Sequence, residues 1–593
     1  MGEHSFRMQR ITLEERTRTL AVMDGLMLGA CLVAVVSLII YHGFELSSAW
    51  REFIRVVDFC VLGFFVVQWA TRWFLASDRL SWFRHHRILL VLSGIILVLL
   101  ALAAGLIPFR VVQSLTGAAS EDAVQAVYIG LCQGMLLLGS IYHFSRRTFV
   151  LAQMRVQPTR VAVGSFLFMI LVGWGLLSLP KATYAPIDPM DALFIATSAV
   201  CVTGLVSVDV ATTFTPTGQF FIALLIQAGG LGIMTLTVGL FVLFGGVMGF
   251  REQVLVQDFV QADGVQKVTR ILLNIVLLTV VAEVVGFLVL FAAWEEILPD
   301  RWERAGVAAF HAISAFCNAG FSNAPGGFES PAFTGNALGL WMIFFLATVS
   351  AAGYPVLANL VGLDQGAGRK GWRIHTKLVV GIHVGLIVVA ALVIWALEFN
   401  RGWAADKTWW LTATHSTFVS TMPRTAGFGI VDLNTFGAVT VGLIMILMVI
   451  GGAPGGTAGG IKLTTVAVVY AYLRSLVVGN GTPRLLGREI DSEVCLKAMA
   501  IVLLYGMFAV LGTVALLATE DFEIAPTSFE VISAMSTCGL SLGITPDLSP
   551  AGKGIVIFLM FAGRLGILTL LWSLLFRGRE PGYQLPRENV MLY

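Results

Sequence analysis

Four short segments of this chain end in the same glycine-centred turn, and their common register limits the folds open to it. They are TSAVCVTGL (Thr197–Leu205), ISAFCNAGF (Ile313–Phe321), STMPRTAGF (Ser420–Phe428) and ISAMSTCGL (Ile532–Leu540). Aligned on Gly204, Gly320, Gly427 and Gly539, each has a hydroxyl residue six positions earlier: Ser198, Ser314, Thr421 and Ser533. A bulky apolar residue follows each glycine: Leu205, Phe321, Phe428 and Leu540. The glycines recur about every 110 residues, the mark of a diverged fourfold repeat. Four such turns around one axis can aim backbone carbonyls inward and replace the hydration shell of a small cation. Glycine suits the turn because it reaches positive φ and lets carbonyls approach an ion closely.

The surroundings are those of a membrane protein. The chain has 593 residues, 57% hydrophobic and 12% charged, with mean hydropathy +0.85. Such values lie far outside the soluble range. A net charge of +2 offers nothing to nucleic acid, and membrane lipid is the expected surrounding. The seven cysteines lie in apolar or turn segments without metal-ligand or paired spacing, and read as buried thiols. Apolar runs of spanning length fall near 20–43, 56–75, 88–107 and 124–144. They continue near 161–179, 217–244, 271–294, 335–361, 378–397, 436–469, 498–517 and 554–575. The glycine turns sit between the fifth and sixth runs, the seventh and eighth, and so on in pairs. Every even-numbered loop is basic, for example Arg72, Arg79, Arg84 and Arg87, or Arg369, Lys370, Arg373 and Lys377. The positive-inside rule then places both termini in the cytoplasm and the four glycine turns on the outer side.

Each turn is preceded by a short apolar stretch, Asp191–Val200, Ala308–Phe316, His415–Met422 or Phe529–Met535, too short to cross a bilayer. A half-helix there would direct the negative end of its dipole toward the centre of the ring. The reading is an all-α polytopic membrane protein of four membrane–pore–membrane repeats, eight helices and four re-entrant loops, with four further helices ahead of them. Its divisions are 1–155 for the N-terminal extension, 156–250, 251–370, 371–490 and 491–580 for the repeats, and 581–593 for a cytoplasmic tail.

These residues resemble the superfamily of K⁺ transporters of Trk, Ktr and HKT types. The resemblance rests on the four turns, with HAISAFCNAGFSN (His311–Asn323), Asp432 and SAMSTCGLSLGITPDLS (Ser533–Ser549). It rests also on GGLGIMTLT (Gly229–Thr237), GGAPGGTAGGIKLTT (Gly451–Thr465) and GRLGILTL (Gly563–Leu570). It runs from about Val161 to about Arg577. It implies a fold like a fused K⁺-channel tetramer and a selectivity filter for K⁺, the transported ion. The implied filter residues are Val202, Thr203 and Gly204; Asn318, Ala319 and Gly320; Thr425, Ala426 and Gly427; Thr537, Cys538 and Gly539. In this family a serine at the first filter position goes with Na⁺ transport, so Gly204 points to K⁺. Departures are Cys201 and Cys538 in the first and fourth turns and Gly429 two residues after the third glycine; they leave ion discrimination partly open. The resemblance further implies a homodimer working with a cytosolic nucleotide-binding regulatory subunit, and no covalent cofactor.

One apolar run is interrupted by GGAPGGTAGG, whose six glycines and proline cannot hold regular helix, at roughly 1 kcal/mol per glycine and about 3 for proline. It is not a phosphate-binding loop, because Ile461 separates the last glycine from Lys462. Gly451, Gly452, Pro454, Gly455, Gly456, Gly459, Gly460 and Lys462 read as a flexible loop beneath the filter, and the resemblance assigns it a gating role. Arg564, mid-span, is either a fixed cation on the ion path or a structural partner for a carboxylate or helix carbonyls; the family places a barrier arginine here. Glu283 reads as packed against a polar neighbour. Asp209, Asp432 and Asp547 either concentrate cations or cap solvated loops. His311 and His415 read as helix-packing residues. The fourth apolar run lacks the arginine every third residue that a voltage sensor needs. Rival readings are a Na⁺-permeable or poorly selective cation pathway of the same fold, an organic-solute symporter with inverted repeats, and a membrane enzyme. The last has no nucleophile–base pair or cofactor motif to support it.

Overall fold

A computed structural model describes scattered residues of 26–50 and then 51–74, 158–232, 268–325, 327–362, 372–399, 408–424, 426–479 and 482–575. These residues are mostly helical. The only strands among them form a two-residue antiparallel hairpin, Arg484–Leu485 with Arg488–Glu489. Four times a long helix, a short helix and a following helix succeed one another. The first set is Pro158–Leu177, Pro189–Cys201 and Pro216–Leu231; the second is Val268–Ala293, Arg301–Cys317 and Ala337–Ala351. The third is Ile374–Glu398, Trp409–Thr421 and Ala438–Val449; the fourth is Ser492–Thr519, Ile524–Ser536 and Pro550–Leu565.

The starts of these helices are written in their caps. Asp188, Asp300 and Thr408 accept from the first amides of the first three short helices, and Thr215, Asn336 and Ser549 do the same for three following helices. Such caps satisfy amides that have no partner within the helix. The long helices need less local help. Leu273–Ala293, Ile374–Glu398 and Ser492–Thr519 are each long and apolar enough to cross a membrane, and two bent helix pairs raise the number to five. Most of their apolar surface faces outward, as in Leu277, Val281, Val284 and Leu288. A helix satisfies its own backbone, so lipid can cover such a face.

Three sequence expectations need adjustment. The runs near 335–361 and 554–575 are not continuous spans: each bends, by 100° at Gly353 and by 96° at Gly566. Both glycines hold the same extended left-handed backbone, φ 81 and ψ 149 against φ 82 and ψ 128. The run near 217–244 yields a helix that ends at Gly232 with φ 74 and ψ 137, and its remainder lies outside the described residues. A side chain rarely adopts that backbone, so glycine fixes each break. Of the seven cysteines, Cys201, Cys317, Cys495 and Cys538 are buried free thiols as expected, but Cys60 is exposed on the helix Ser48–Phe74. There it lies among outward-facing apolar side chains, where a thiol behaves as one more small hydrophobe. Cys31, Cys132 and the third and fourth apolar runs lie outside the described residues.

The sets are joined head to tail. Each following helix packs on the short helix of the next set, and Pro550–Leu565 packs back on Pro189–Cys201. Lys553 and Asp191 form a 2.6 Å ion pair across that last junction, both largely buried. One apolar core gathers residues of the first and fourth sets, such as Phe194, Ile222, Val531 and Met560. Another gathers mainly the second and third, such as Trp294, Phe316, Phe418 and Ile444. Close helix contact depends on small residues: Gly229 lies against the Val200 carbonyl and Gly563 against that of Met535.

Candidate functional site

The carboxyl ends of the short helices lead into the four glycine turns. Val202, Asn318 and Thr537 each leave the helix in the left-handed conformation, with φ 56, 60 and 49. For β-branched Val202 and Thr537 that backbone costs about 1–2 kcal/mol, so the surroundings must hold it. Two amide bonds do so in each turn: Val202 to Ala199 O and Thr203 to Ser198 O, Asn318 to Ala315 O and Ala319 to Ser314 O, Thr537 to Ala534 O and Cys538 to Ser533 O. The third turn is built differently. A 3-10 turn spans Met422–Arg424, and the amides of Ala426 and Gly427 both donate to Met422 O. Thr425, an expected filter residue, lies outside the described residues.

The four glycines follow with φ 91, 70, 63 and 98. A Cβ added to Gly204 would collide with the Ala319 carbonyl, one on Gly320 would lie 2.6 Å from that of Ala426, one on Gly427 would collide with that of Cys538, and one on Gly539 with that of Thr203. Each glycine therefore faces the carbonyl just before the next glycine, and the fourth returns to the first. Three of the four hydroxyls six positions earlier bond within their own turns. Ser198 and Ser533 accept the Gly204 and Gly539 amides at 3.1 Å, whereas Ser314 donates to Phe321 O at 2.8 Å.

The glycine-rich segment forms a closed loop at the carboxyl ends of the short helices. Its base is fastened by Gly451 N–H to Ile461 O, Ile461 N–H to Val449 O and Leu463 N–H to Gly452 O. It lies in the bend of the second set, with Ala453 N–H donating to Ala351 O at 2.9 Å and Tyr354 N–H to Gly455 O at 3.1 Å. Its tip touches the turns themselves: Asn318 Nδ2 donates to both Thr457 Oγ1 and Ser350 Oγ at 2.6 Å. A Cβ on Gly459 would overlap the Thr537 hydroxyl. Arg564 donates from Nη1 to Thr457 O at 2.5 Å and from Nη2 to Gly229 O at 2.6 Å, tying loop to first set through carbonyls. Lys462 Nζ donates back to Ala458 O at 2.6 Å.

Residues around the ring divide as follows. Glu283 accepts from Gln227, a polar neighbour, as expected. Asp209 and Asp432 accept amides of short helical turns and act as loop caps. His311 and His415 bond Val307 O with Ser322 Oγ, and Thr334 O, within packed surroundings. Sequence reasoning passed over three charged groups. Buried Arg424 donates to the carbonyl and Nδ1 of His383 on the third long helix. Glu329 reaches toward Gly429, where an added Cβ would lie 2.9 Å from its carboxylate; burial and then the nearby Asp432 raise its pKa above the usual carboxylate range. Glu530 is fully buried in the fourth short helix. The signal for Gly429 was its departure from the pattern: a side chain there would displace Glu329.

The family model described as TrkH, cation transport protein, matches residues 174–577. The chain belongs to that family. It is thus a membrane cation transporter and not an enzyme. It is 34% identical over 432 residues to the Ktr system potassium uptake protein B of Bacillus subtilis, covering 72% of this chain and 94% of that one. It is 30% identical over 449 residues to the potassium/sodium uptake protein NtpJ of Enterococcus hirae, covering 74% and 98%. Its fold resembles the crystal structure of the potassium transporter TrkH from Vibrio parahaemolyticus, with TM-score 0.55 and 18% identity over 83% of this chain and 97% of that one.

Proposed function

We propose that this TrkH-family chain carries K⁺ into the cell through a filter made by its own four turns. The observation that carries the reading is the closed ring in which each glycine abuts the carbonyl before the next. Such a ring gathers backbone oxygens from four quadrants, the donor set that can replace a K⁺ hydration shell. In the first, second and fourth turns a left-handed residue and a left-handed glycine flank one of ordinary handedness. Backbone of alternating hand turns successive carbonyls to the same side. Relatives named as potassium uptake proteins support K⁺ as the cargo. Gly204 supports it too, since a side chain there would displace the Ala319 carbonyl.

The glycine-rich loop is the gate in this reading. Its contacts with Asn318, Thr537 and Arg564 support a position across the inner end of the path, with Arg564 holding it shut. We assign residues 156–250, 251–370, 371–490 and 491–580 to the four repeats, with the glycine turns outside and both termini in the cytoplasm of a cell-membrane homodimer. A separate cytosolic nucleotide-binding subunit would act on the loop from the basic side. The test is flux into liposomes holding the full chain, with K⁺, Rb⁺, Na⁺ or choline as the competing cation. The expected order is K⁺ and Rb⁺ well ahead of Na⁺, with choline excluded; equal competition by choline sinks the filter reading.

A further inference from the structure

The four turns differ at two positions, one on each arm of the re-entrant segment. Nine residues before the filter glycine stand Ile195, His311, Phe418 and Glu530; two residues after it stand Val206, Ser322, Gly429 and Ser541. In the second and fourth turns these positions are polar and joined by a hydrogen bond. In the first and third, Ile195 with Val206 and Phe418 with Gly429 have no side-chain donor or acceptor to share.

The two bonds are built alike from unlike residues. His311 Nδ1 lies 2.9 Å from Val307 O, which can only accept, so Nδ1 carries the hydrogen and Nε2 is an acceptor. Nε2 then takes the Ser322 hydroxyl hydrogen at 2.9 Å, while the Ser322 oxygen accepts Ala324 N–H at 3.2 Å. Glu530 Oε2 takes the Ser541 hydroxyl hydrogen at 2.7 Å, while the Ser541 oxygen accepts Gly543 N–H at 3.0 Å. Oε1 of Glu530 takes a second hydroxyl, from Thr545, at 2.5 Å. Both acceptors are wholly buried. His311 is further fixed by Trp294 and Phe328, ring centres 5.1 and 5.2 Å away, and by Phe428 of the third turn at 6.0 Å.

We propose that His311 and Glu530 are positioning residues that clamp the outgoing strand of two turns and thereby set ion selectivity. The glycine contacts run first to second to third to fourth to first, so the clamped turns lie diagonally across the ring. At these two positions one diagonal is joined by side-chain hydrogen bonds, and the other has none. The width of the ring along the clamped diagonal then discriminates K⁺ from the smaller Na⁺. This inference rests on the filter reading above.

The experiment measures the ratio of K⁺ to Na⁺ flux in liposomes for full-length variants. Ser322→Ala removes the clamp of the second turn and Ser541→Ala removes one of the two hydroxyl bonds to Glu530 in the fourth; each should lower the ratio about five- to tenfold, the worth of one buried hydrogen bond. Ser541→Thr keeps the hydroxyl, and Glu530→Gln keeps one acceptor oxygen for Ser541 while its amide can donate to Thr545 Oγ1, so both should stay within about twofold of the parent. Val206→Ala, at the matching place in the first turn, should leave the ratio unchanged. Gly204→Ser is run beside them to test the filter itself. If Gly204→Ser lowers the ratio while both alanine variants keep it, the clamp proposal is overturned and the filter stands. If none of the three moves it, the filter reading falls as well. Where Ser541→Ala fails to insert, Ser541→Thr must restore insertion and ratio together; restoring insertion alone overturns the proposal.

Discussion

At the scale of single residues, Arg564 combines two effects that substitution can separate. Its guanidinium is a positive charge beside the glycine-rich loop and also a two-pronged tether from Thr457 O to Gly229 O. Lysine keeps the charge but cannot span two carbonyls in that fork geometry. Arg564→Ala should raise K⁺ flux at subsaturating concentration by about tenfold, a barrier change of roughly 1.4 kcal/mol. If Arg564→Lys stays near the parent, charge dominates; if it follows alanine, the tether does. Loss of assembly in Arg564→Ala, seen by gel filtration, would make the residue a structural anchor. Glu329 gives a second expectation. Its raised pKa means the folded protein holds that proton more tightly than the unfolded chain, so this group favours folding as pH falls and opposes it once ionised. For transport, acidifying the outer medium should neutralise Glu329 before ordinary carboxylates and weaken K⁺ uptake. One charge at about 10 Å in water is worth roughly 0.4 kcal/mol, or about twofold in apparent affinity. Apparent K⁺ affinity measured from neutral to mildly acidic medium should lose that dependence in Glu329→Gln.

At the scale of elements, the glycine-rich loop has its base fastened by backbone bonds and its tip against two turns. Shortening it between Ala453 and Ala458 keeps the Ile450–Ile461 pairing but withdraws Thr457 from Asn318 and Arg564. Basal flux of K⁺ should rise several-fold, as expected when about 1 kcal/mol of contact holding a closed state is lost, with the order of cations unchanged. A shortened protein that inserts normally and conducts no faster would make the loop structural. How much of this was legible beforehand follows from what each signal requires. The four turns are local and aligned, so glycine and hydroxyl positions revealed them. The interrupted helix was legible because six glycines and a proline are crowded together. The bends at Gly353 and Gly566 were not, because one glycine hardly alters the hydropathy of a window whose other residues are apolar. Glu530 escaped notice for another reason: its meaning emerges only when the column nine residues before each glycine is read beside the column two after it. The link between Asn318 and Thr457 crosses 139 residues of sequence, and no periodicity records it.

At the scale of the whole molecule, the ring is closed by the pair Lys553–Asp191 and by the approach of Gly539 to the Thr203 carbonyl. The ion pair is largely buried at 2.6 Å, so losing one partner removes a charge-assisted bond worth about 1.5–3 kcal/mol and strands the other charge. Lys553→Met should lower the thermal midpoint in detergent, and the exchanged pair Lys553→Asp with Asp191→Lys should recover much of the loss. A midpoint unmoved by Lys553→Met would show that helix packing alone closes the ring. The closure also has a consequence for synthesis. The ribosome delivers Thr203 to the membrane long before Gly539 exists, so the first turn must wait, one neighbour missing, until the last quarter of the message has been translated. A nascent chain halted before Gly539 therefore carries an open arc, its Thr203 carbonyl still without the glycine that meets it in the finished ring.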